Sequence, residues 1–307
     1  LIQQPEAINL SWVYAETGCN LADLQELEER GLIRLFESEI FRDPLENIGR
    51  KIDKETGNQL ITLTPEQDSA LNEIIQSINS FIPHPSSLIL HAKRSSFLLY
   101  GITGSGKTEI YLRAAEETIK RGRQAIILVP EIALTPQAVR RFLSRFPGQV
   151  GLVHSKLSEG ERYDTWRRAC SGKLKVIIGA RSALFTPLPN VGLIVVDECH
   201  DASFYQSEPP YYHAVTAAQE YARLCGAVCV LGSATPTVEQ RFQAENKKTI
   251  KLVLPYRIVQ AGLPPVQVVD MREELKTGNR GIFSRVLAES LAETISRGEQ
   301  AILFLNR

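Results

Sequence analysis

Long apolar runs are missing from this chain: none reaches the roughly 18 residues a membrane-spanning helix needs, so no helical span is expected. No charged leader with an apolar h-region opens it either, which gives no sign of export. Cysteine is sparse, and the five present (Cys19, Cys170, Cys199, Cys225, Cys229) include no CxxC pair. That excludes the usual paired-cysteine zinc and redox motifs and points to a reduced, cytoplasmic protein. Cys225 and Cys229 fall in the apolar run Leu224–Leu231 and read as small core residues. An excess of one charge is also missing, since 35 Lys/Arg balance 35 Asp/Glu. The balance is uneven along the chain: residues 113–181 hold fourteen Lys/Arg against six Asp/Glu, while residues 1–60 lean acidic. A basic stretch suits a surface that tracks a phosphate backbone, and solvated helix faces account for it equally well. No Met begins the chain and Arg307 falls inside a predicted strand, so a fragment of something longer is expected.

What is present is organised around GITGSGKT, Gly101–Thr108, between the apolar run Phe97–Tyr100 and a helix-like stretch, Glu109–Lys120. Strand, glycine loop and helix in that order form a phosphate cradle. Gly101, Gly104 and Gly106 let Ile102, Thr103, Ser105 and the rest of the loop turn backbone N–H groups inward, and the helix adds the positive end of its dipole. Lys107 is placed to reach the β and γ phosphates, and the Thr108 hydroxyl to ligate Mg²⁺. The pattern predicts that the protein binds ATP or GTP.

Residues 1–44 read as a small helical module. Asn20 or Asp23 caps a helix whose Leu21, Leu24 and Leu27 share a face, Gly31 ends it, and Leu32–Phe41 alternates as a strand pair would. Helix plus hairpin is how a winged helix ends. Residues 45–62, polar and carrying Gly49 and Gly57, read as a linker. In Thr64-Pro65-Glu66-Gln67, Thr64 and Gln67 make a capping box around a proline at the first helical position. A glutamine one helix before a phosphate loop can also read an adenine edge, and the local pattern leaves both roles open.

After the loop, apolar runs alternate with helix-like stretches: Ala125–Val129, Val150–Val153, Val176–Gly179, Leu193–Val196 and Val228–Leu231. Such runs are strands buried on both faces, so the fold class is α/β, a parallel sheet between helices, with ligands at the carboxyl ends of the strands. Leu193–Val196 delivers Asp197-Glu198-Cys199-His200 there. Asp197 suits a Mg²⁺ ligand, Glu198 a base that polarises the attacking water, and His200 a γ-phosphate sensor. Val228–Leu231 delivers Gly232, then Ser233, Ala234 and Thr235, whose hydroxyls can bond the carboxylates of the metal site when nucleotide is bound. Between them Phe204, Tyr205, Tyr211 and Tyr212 flank Pro209-Pro210 in a predicted loop, where rings can stack on unpaired bases and report to the ATP site. A hydrophobic plug is the plainer reading of those rings.

GSGKT, DExH and SAT in this order resemble lobe one of a superfamily 2 helicase. The longer strings FLLYGITGSGKTEIY, LVPEIALTPQ, HSKLSEGER, IGARSALFTP and LIVVDECHD resemble the bacterial PriA family of replication-restart helicases, also called primosomal protein N′. Arg42-Asp43-Pro44 and Phe304–Arg307 fit the same family. The resemblance implies a RecA-like P-loop lobe over residues 63–255, preceded by a winged-helix remnant and followed by a connector and the start of a second lobe over 256–307. It implies an ATP- and Mg²⁺-dependent 3′→5′ DNA helicase acting at stalled forks, with primosome proteins and single-stranded-DNA-binding protein as partners. Gln67 becomes the adenine reader, and Pro130, Glu131, Thr135, Gln137, Arg181 and Ser182 stand where the family touches the DNA backbone. The departures count too. Cys199 stands where the family usually has a second acidic residue. The fork-binding domain, most of lobe two and the zinc-binding cysteines expected of the family fall outside this sequence. Strands near Val266–Val269 and Ala301–Leu305 and a helix over Ser284–Arg297 are expected at the end. Little unwinding by this piece alone is therefore expected. Another superfamily 2 translocase, or a nucleotide- or DNA-binding module without turnover, are the rival readings.

Overall fold

In a computed structural model of the chain, the described residues are 8, 10–36, 45, 62–80, 96–258 and 264–305. They divide into two compact units, Leu1–Ile258 and Val259–Arg307. The first unit opens with α1 (Leu10–Thr17) and α2 (Leu21–Glu29). Asn20 caps α2 in a reciprocal box with Asp23, Leu24 is buried, and Gly31 follows at φ +69°. Residues 33–36 form no strand with any described residue; the remainder of the expected strand pair lies outside the described residues, as does most of the expected linker. Leu45 is buried in the main core, so at that residue the chain is not a solvated linker.

Next come α3 (Pro65–Ser80), β1 (Ser96–Gly101), α4 (Lys107–Lys120), β2 (Gln124–Leu128) and α5 (Pro136–Arg145). They are followed by β3 (Val150–Val153), α6 (Glu159–Cys170), β4 (Val176–Gly179) and β5 (Val191–Val196). The short strands β6 (Tyr205–Gln206) and β7 (Tyr212–His213) precede α7 (Ala214–Cys225), β8 (Val228–Ser233), α8 (Val238–Glu245) and β9 (Ile250–Leu254). Seven strands form one sheet in the order β3-β4-β2-β5-β8-β1-β9, every pair parallel. Strand side chains alternate between two cores. Phe97, Leu99, Ile127 and Val195 pack with α3, α4 and α5 on one face; Leu98, Ile126, Ile194 and Val196 pack with α6 and α7 on the other. Both faces are covered, which is why the strands read as continuous apolar runs.

At the opposite end of the sheet from the loop-bearing edge, Arg123 ties three strand entrances together. Its guanidinium donates to the carbonyls of Val191, Cys225 and Gly226 beside the starts of β5 and β8. Arg113, Arg121 and Arg145 are in ion pairs with Glu109, Glu117 and Glu116. Part of the basic stretch is therefore committed inside the lobe rather than offered to a phosphate backbone.

The second unit holds α9 (Met271–Lys276) and α10 (Arg285–Ser296), the latter capped by the Ser284 side chain and lying within the expected helix Ser284–Arg297. Val266–Val269 and 301–305 are not strands. A strand needs a neighbour to satisfy its N–H and C=O groups, and these segments pair with no described residue.

Candidate nucleotide-binding site

The loop after β1 is shaped by glycines at two points. Gly104 and Gly106 adopt φ +82° and +85°, a backbone open to glycine with little strain. A Cβ on Gly106 would also stand 2.4 Å from Gln67 Nε2 and 2.8 Å from Ile258 Cδ1. Gly106 caps α4, so the helix dipole points into the loop. Lys107 is buried and donates from Nζ to the Gly101 carbonyl at 2.8 Å. Ser105 Oγ is buried with no hydrogen-bond partner among the described residues. Thr108 is partly exposed one position on.

Gln67 settles into both halves of its capping box: Thr64 N–H donates to its Oε1 at 2.9 Å and Thr64 Oγ1 accepts from its N–H at 3.3 Å. Its Nε2 then donates to the Ser105 carbonyl at 2.8 Å. The side-chain amide therefore braces the phosphate loop, with a second N–H on Nε2 and a second lone pair on Oε1 beyond these bonds.

Asp197 emerges from β5 beside this loop. Tyr111, one helical turn beyond Lys107 on α4, donates its hydroxyl to Asp197 Oδ1 at 3.0 Å. Burial and the neighbouring Glu198 push the Asp197 carboxyl above its ordinary range, while the Tyr111 hydrogen bond and the charge of Lys107 pull it back. Burial, together with Asp197, holds the Tyr111 hydroxyl well above its usual range, so it stays a donor. Glu198 sits at φ +46°, a strained conformation for a side-chain-bearing residue, and its N–H donates to Asp197 Oδ1 at 3.1 Å. Cys199 faces the core between α7 and the sheet, where burial pushes its thiol up to about 12. Its N–H donates to the Gly232 carbonyl, and its own carbonyl accepts from Gln240 Nε2 at 2.9 Å.

Ser233 is bonded to the turn after β5 rather than to a carboxylate. Its Oγ lies 2.9 Å from His200 Nδ1 and accepts from Thr235 N–H at 2.9 Å. His200 Nδ1 is in turn 3.6 Å from Glu198 Oε2. The β5 turn is thus wired to the β8 end through His200, with Ala234 partly buried and Thr235 exposed beside it.

The predicted aromatic loop is a short antiparallel hairpin, β6 pairing with β7. Phe204 is buried in the core, because the preceding turn at Asp201–Phe204 directs it under the sheet, so it cannot stack on a base. Tyr212 packs edge-on to Phe185, centroids 5.2 Å apart. Tyr205 and Tyr211 remain exposed. Arg181 donates to the carbonyls of Ser203 at 3.0 Å and Tyr205 at 2.7 Å, joining the turn after β4 to this hairpin. β2 and β4 are neighbours, which puts residues 130–137 and 181–182 side by side at the carboxyl edge. Glu131, Thr135, Gln137 and Ser182 are exposed there, with the Thr135 side chain capping α5. Pro130 is buried and shapes the turn instead of presenting a surface.

A family model of the DEAD/DEAH box helicases matches residues 64–242. The chain belongs to the DEAD/DEAH box helicase family. It is 42% identical over its whole length to Replication restart protein PriA of Bacillus subtilis, covering 36% of that protein. It is also 42% identical, over 94% of its length, to the protein of the same name from Synechocystis, covering 33% of it. The chain therefore spans about a third of the length of these curated relatives. Among solved structures, RecG bound to a three-way DNA junction shares the fold at a TM-score of 0.51 and 20% identity, covering 78% of this chain and 28% of RecG.

The helicase family implies ATP and Mg²⁺, and the residues fit both. Glycines give the loop its left-handed backbone, the Ser105 hydroxyl is buried with no described partner, Lys107 is buried at the end of β1, and its charge lowers the Asp197 carboxyl. Two contributors escaped the sequence reading. Tyr111 was assigned no role, although its spacing of one turn from Lys107 puts it on the same helix face. Gln240 closes a Thr-x-x-Gln capping box, the same signature as Thr64–Gln67, and each glutamine reaches out of its cap to brace a motif backbone.

Proposed function

We propose that this chain is the ATP-binding lobe of a replication-restart DNA helicase, one that moves 3′→5′ and acts at stalled forks. The observation that carries the reading is the convergence of Lys107, Asp197 and the His200–Ser233 pair on one sheet edge, in a chain whose relatives are replication restart proteins. Lys107 and the loop amides hold the β and γ phosphates, while Thr108 and Asp197 hold Mg²⁺, which neutralises phosphate charge when bound. Tyr111 steadies the Asp197 carboxylate through its hydrogen bond. Glu198 polarises the attacking water, and its turn reports to β8 through His200 and Ser233.

On the same edge, Glu131, Thr135, Gln137 and Ser182 contact the DNA backbone, and Tyr205 and Tyr211 stack on unpaired bases. Arg181 carries the signal by gripping the hairpin carbonyls, so that backbone occupancy shifts the segment that follows the DECH turn. Residues 256–307 begin a second lobe. The parent protein is cytoplasmic, carries zinc elsewhere, and works with primosome proteins and single-stranded-DNA-binding protein. Hydrolysis in such motors needs two lobes closing, so this chain alone unwinds little or nothing.

The test is ATP hydrolysis by the parent protein with no nucleic acid, with single-stranded DNA and with single-stranded RNA. Stimulation by DNA that Lys107→Ala abolishes is the expected result. Equal or greater stimulation by RNA would assign the lobe to a different superfamily 2 motor.

A further inference from the structure

Asp197 uses its two carboxylate oxygens unequally. Oδ1 accepts two hydrogen bonds, from the Tyr111 hydroxyl at 3.0 Å and from the Glu198 N–H at 3.1 Å. A carboxylate oxygen offers about two lone-pair sites, so those of Oδ1 are filled. Oδ2 accepts from no described residue. The backbone beneath is pinned on both sides. Asp197 N–H donates to the Leu128 carbonyl of β2 at 2.8 Å, and Cys199 N–H to the Gly232 carbonyl of β8 at 3.0 Å. Tyr111 is buried in the core, and the missing Cβ of Gly232 leaves room for its hydroxyl, since a Cβ there would stand 1.7 Å from Oη. Its ring does not swing away from Oδ1 without displacing the close-packed side chains around it.

We propose that Tyr111 is a positioning residue that makes Asp197 a one-oxygen ligand, offering Oδ2 alone to the divalent ion of the nucleotide and so favouring Mg²⁺ over Ca²⁺. The proposal rests on the nucleotide reading above. Mg²⁺ demands a near-ideal octahedron of single oxygens and keeps several waters, whereas Ca²⁺ gathers more oxygens and often takes a carboxylate through both. Two hydrogen bonds on Oδ1 suit the first ion, whether Oδ2 meets it directly or through one of its waters, and deny the second its two-oxygen grip. A phenol does this without adding a charge that would compete with the ion.

The test is calorimetric titration of the 307-residue chain with ADP in Mg²⁺, in Ca²⁺ and in EDTA. Tyr111→Phe keeps the buried ring and frees a lone pair on Oδ1. It should weaken ADP about fivefold in Mg²⁺, change it less than about twofold in EDTA, and shrink the preference for Mg²⁺ over Ca²⁺ about fivefold. In an Asp197→Ala background the same change should leave the preference where it is, because the effect runs through that carboxylate. Equal losses in all three conditions would reduce Tyr111 to a packing residue. A wild type with no preference for Mg²⁺, a preference unmoved by Tyr111→Phe, or an effect that survives Asp197→Ala would each overturn the proposal too. Lys107→Ala tells these failures apart from failure of the reading beneath. It should weaken ADP in all three conditions, and ADP binding untouched by it would overturn the phosphate cradle and the metal ligand with it.

Discussion

Gly232 lies where Tyr111 and Asp197 meet, and replacing it with alanine tests how tightly that contact is built. The new Cβ would stand 1.7 Å from Tyr111 Oη, 2.9 Å from its Cζ and 3.2 Å from Asp197 Oδ1. β8 is hydrogen-bonded to β5 on one side and β1 on the other, so the strand does not yield and the phenol must move. Moving it breaks a hydrogen bond to a carboxylate, which costs about 1.5–3 kcal/mol. Crowding the buried face of α4 costs about 1–3 kcal/mol more. The sum, about 4 kcal/mol, lowers Tm by roughly 10 °C for a unit of this size. Thermal unfolding followed by circular dichroism reads the shift. Tyr111→Phe removes the oxygen responsible for the worst clash, so in that background Gly232→Ala should cost about 2 kcal/mol less. A Gly232→Ala chain within about 0.5 kcal/mol of wild type, or an equal cost in both backgrounds, would refute the reasoning.

Three further outcomes follow from the same geometry. Asp197 has its carboxyl raised in the fold above the ordinary 3.8, so its ionised form costs stability at every pH above that raised value. Asp197→Asn should therefore unfold at a higher temperature than wild type at pH 7, with the gap closing as the pH falls and the wild-type carboxyl takes up its proton; a less stable variant at pH 7 contradicts this. Gln240→Ala removes the acceptor of the Thr237 N–H in the capping box and leaves the Cys199 carbonyl without its donor, a loss of about 2 kcal/mol measurable by urea unfolding. Arg123→Met removes the donor shared by the carbonyls of Val191, Cys225 and Gly226 and should cost about 2–4 kcal/mol in the same assay; no change would mean that water replaces the guanidinium freely.

The parallel sheet and the three motifs were legible because each is local. A strand buried on both faces announces itself as an apolar run, and Gly101–Thr108, Asp197–His200 and Ser233–Thr235 follow such runs directly. What the motifs touch was not legible. Gln67 and Gln240 reveal their caps in sequence, but their second hydrogen bonds span 38 and 41 positions and depend on how the helices seat against the sheet. The contact of Ser233 with His200 had no local signal either, since it joins the ends of β8 and β5 across 33 positions. Phe204 and Tyr205 are adjacent and aromatic, yet one is buried and the other exposed, because Phe204 ends the turn under the sheet and Tyr205 begins the hairpin. Val266–Val269 and residues 301–305 have strand composition without a strand partner among the described residues, and composition alone does not make a ladder.

The central claim is that Gly101–Thr108 cradles the phosphates of a nucleotide, and the most direct measurement is Mg-ADP binding by the chain and by its Lys107→Ala variant. Removing a buried ammonium from the phosphates should cost several kcal/mol, about a hundredfold or more in affinity. Binding by the wild type that collapses in the variant is the predicted result. Wild-type and variant binding of equal strength, or no binding by the folded wild type, would contradict the account.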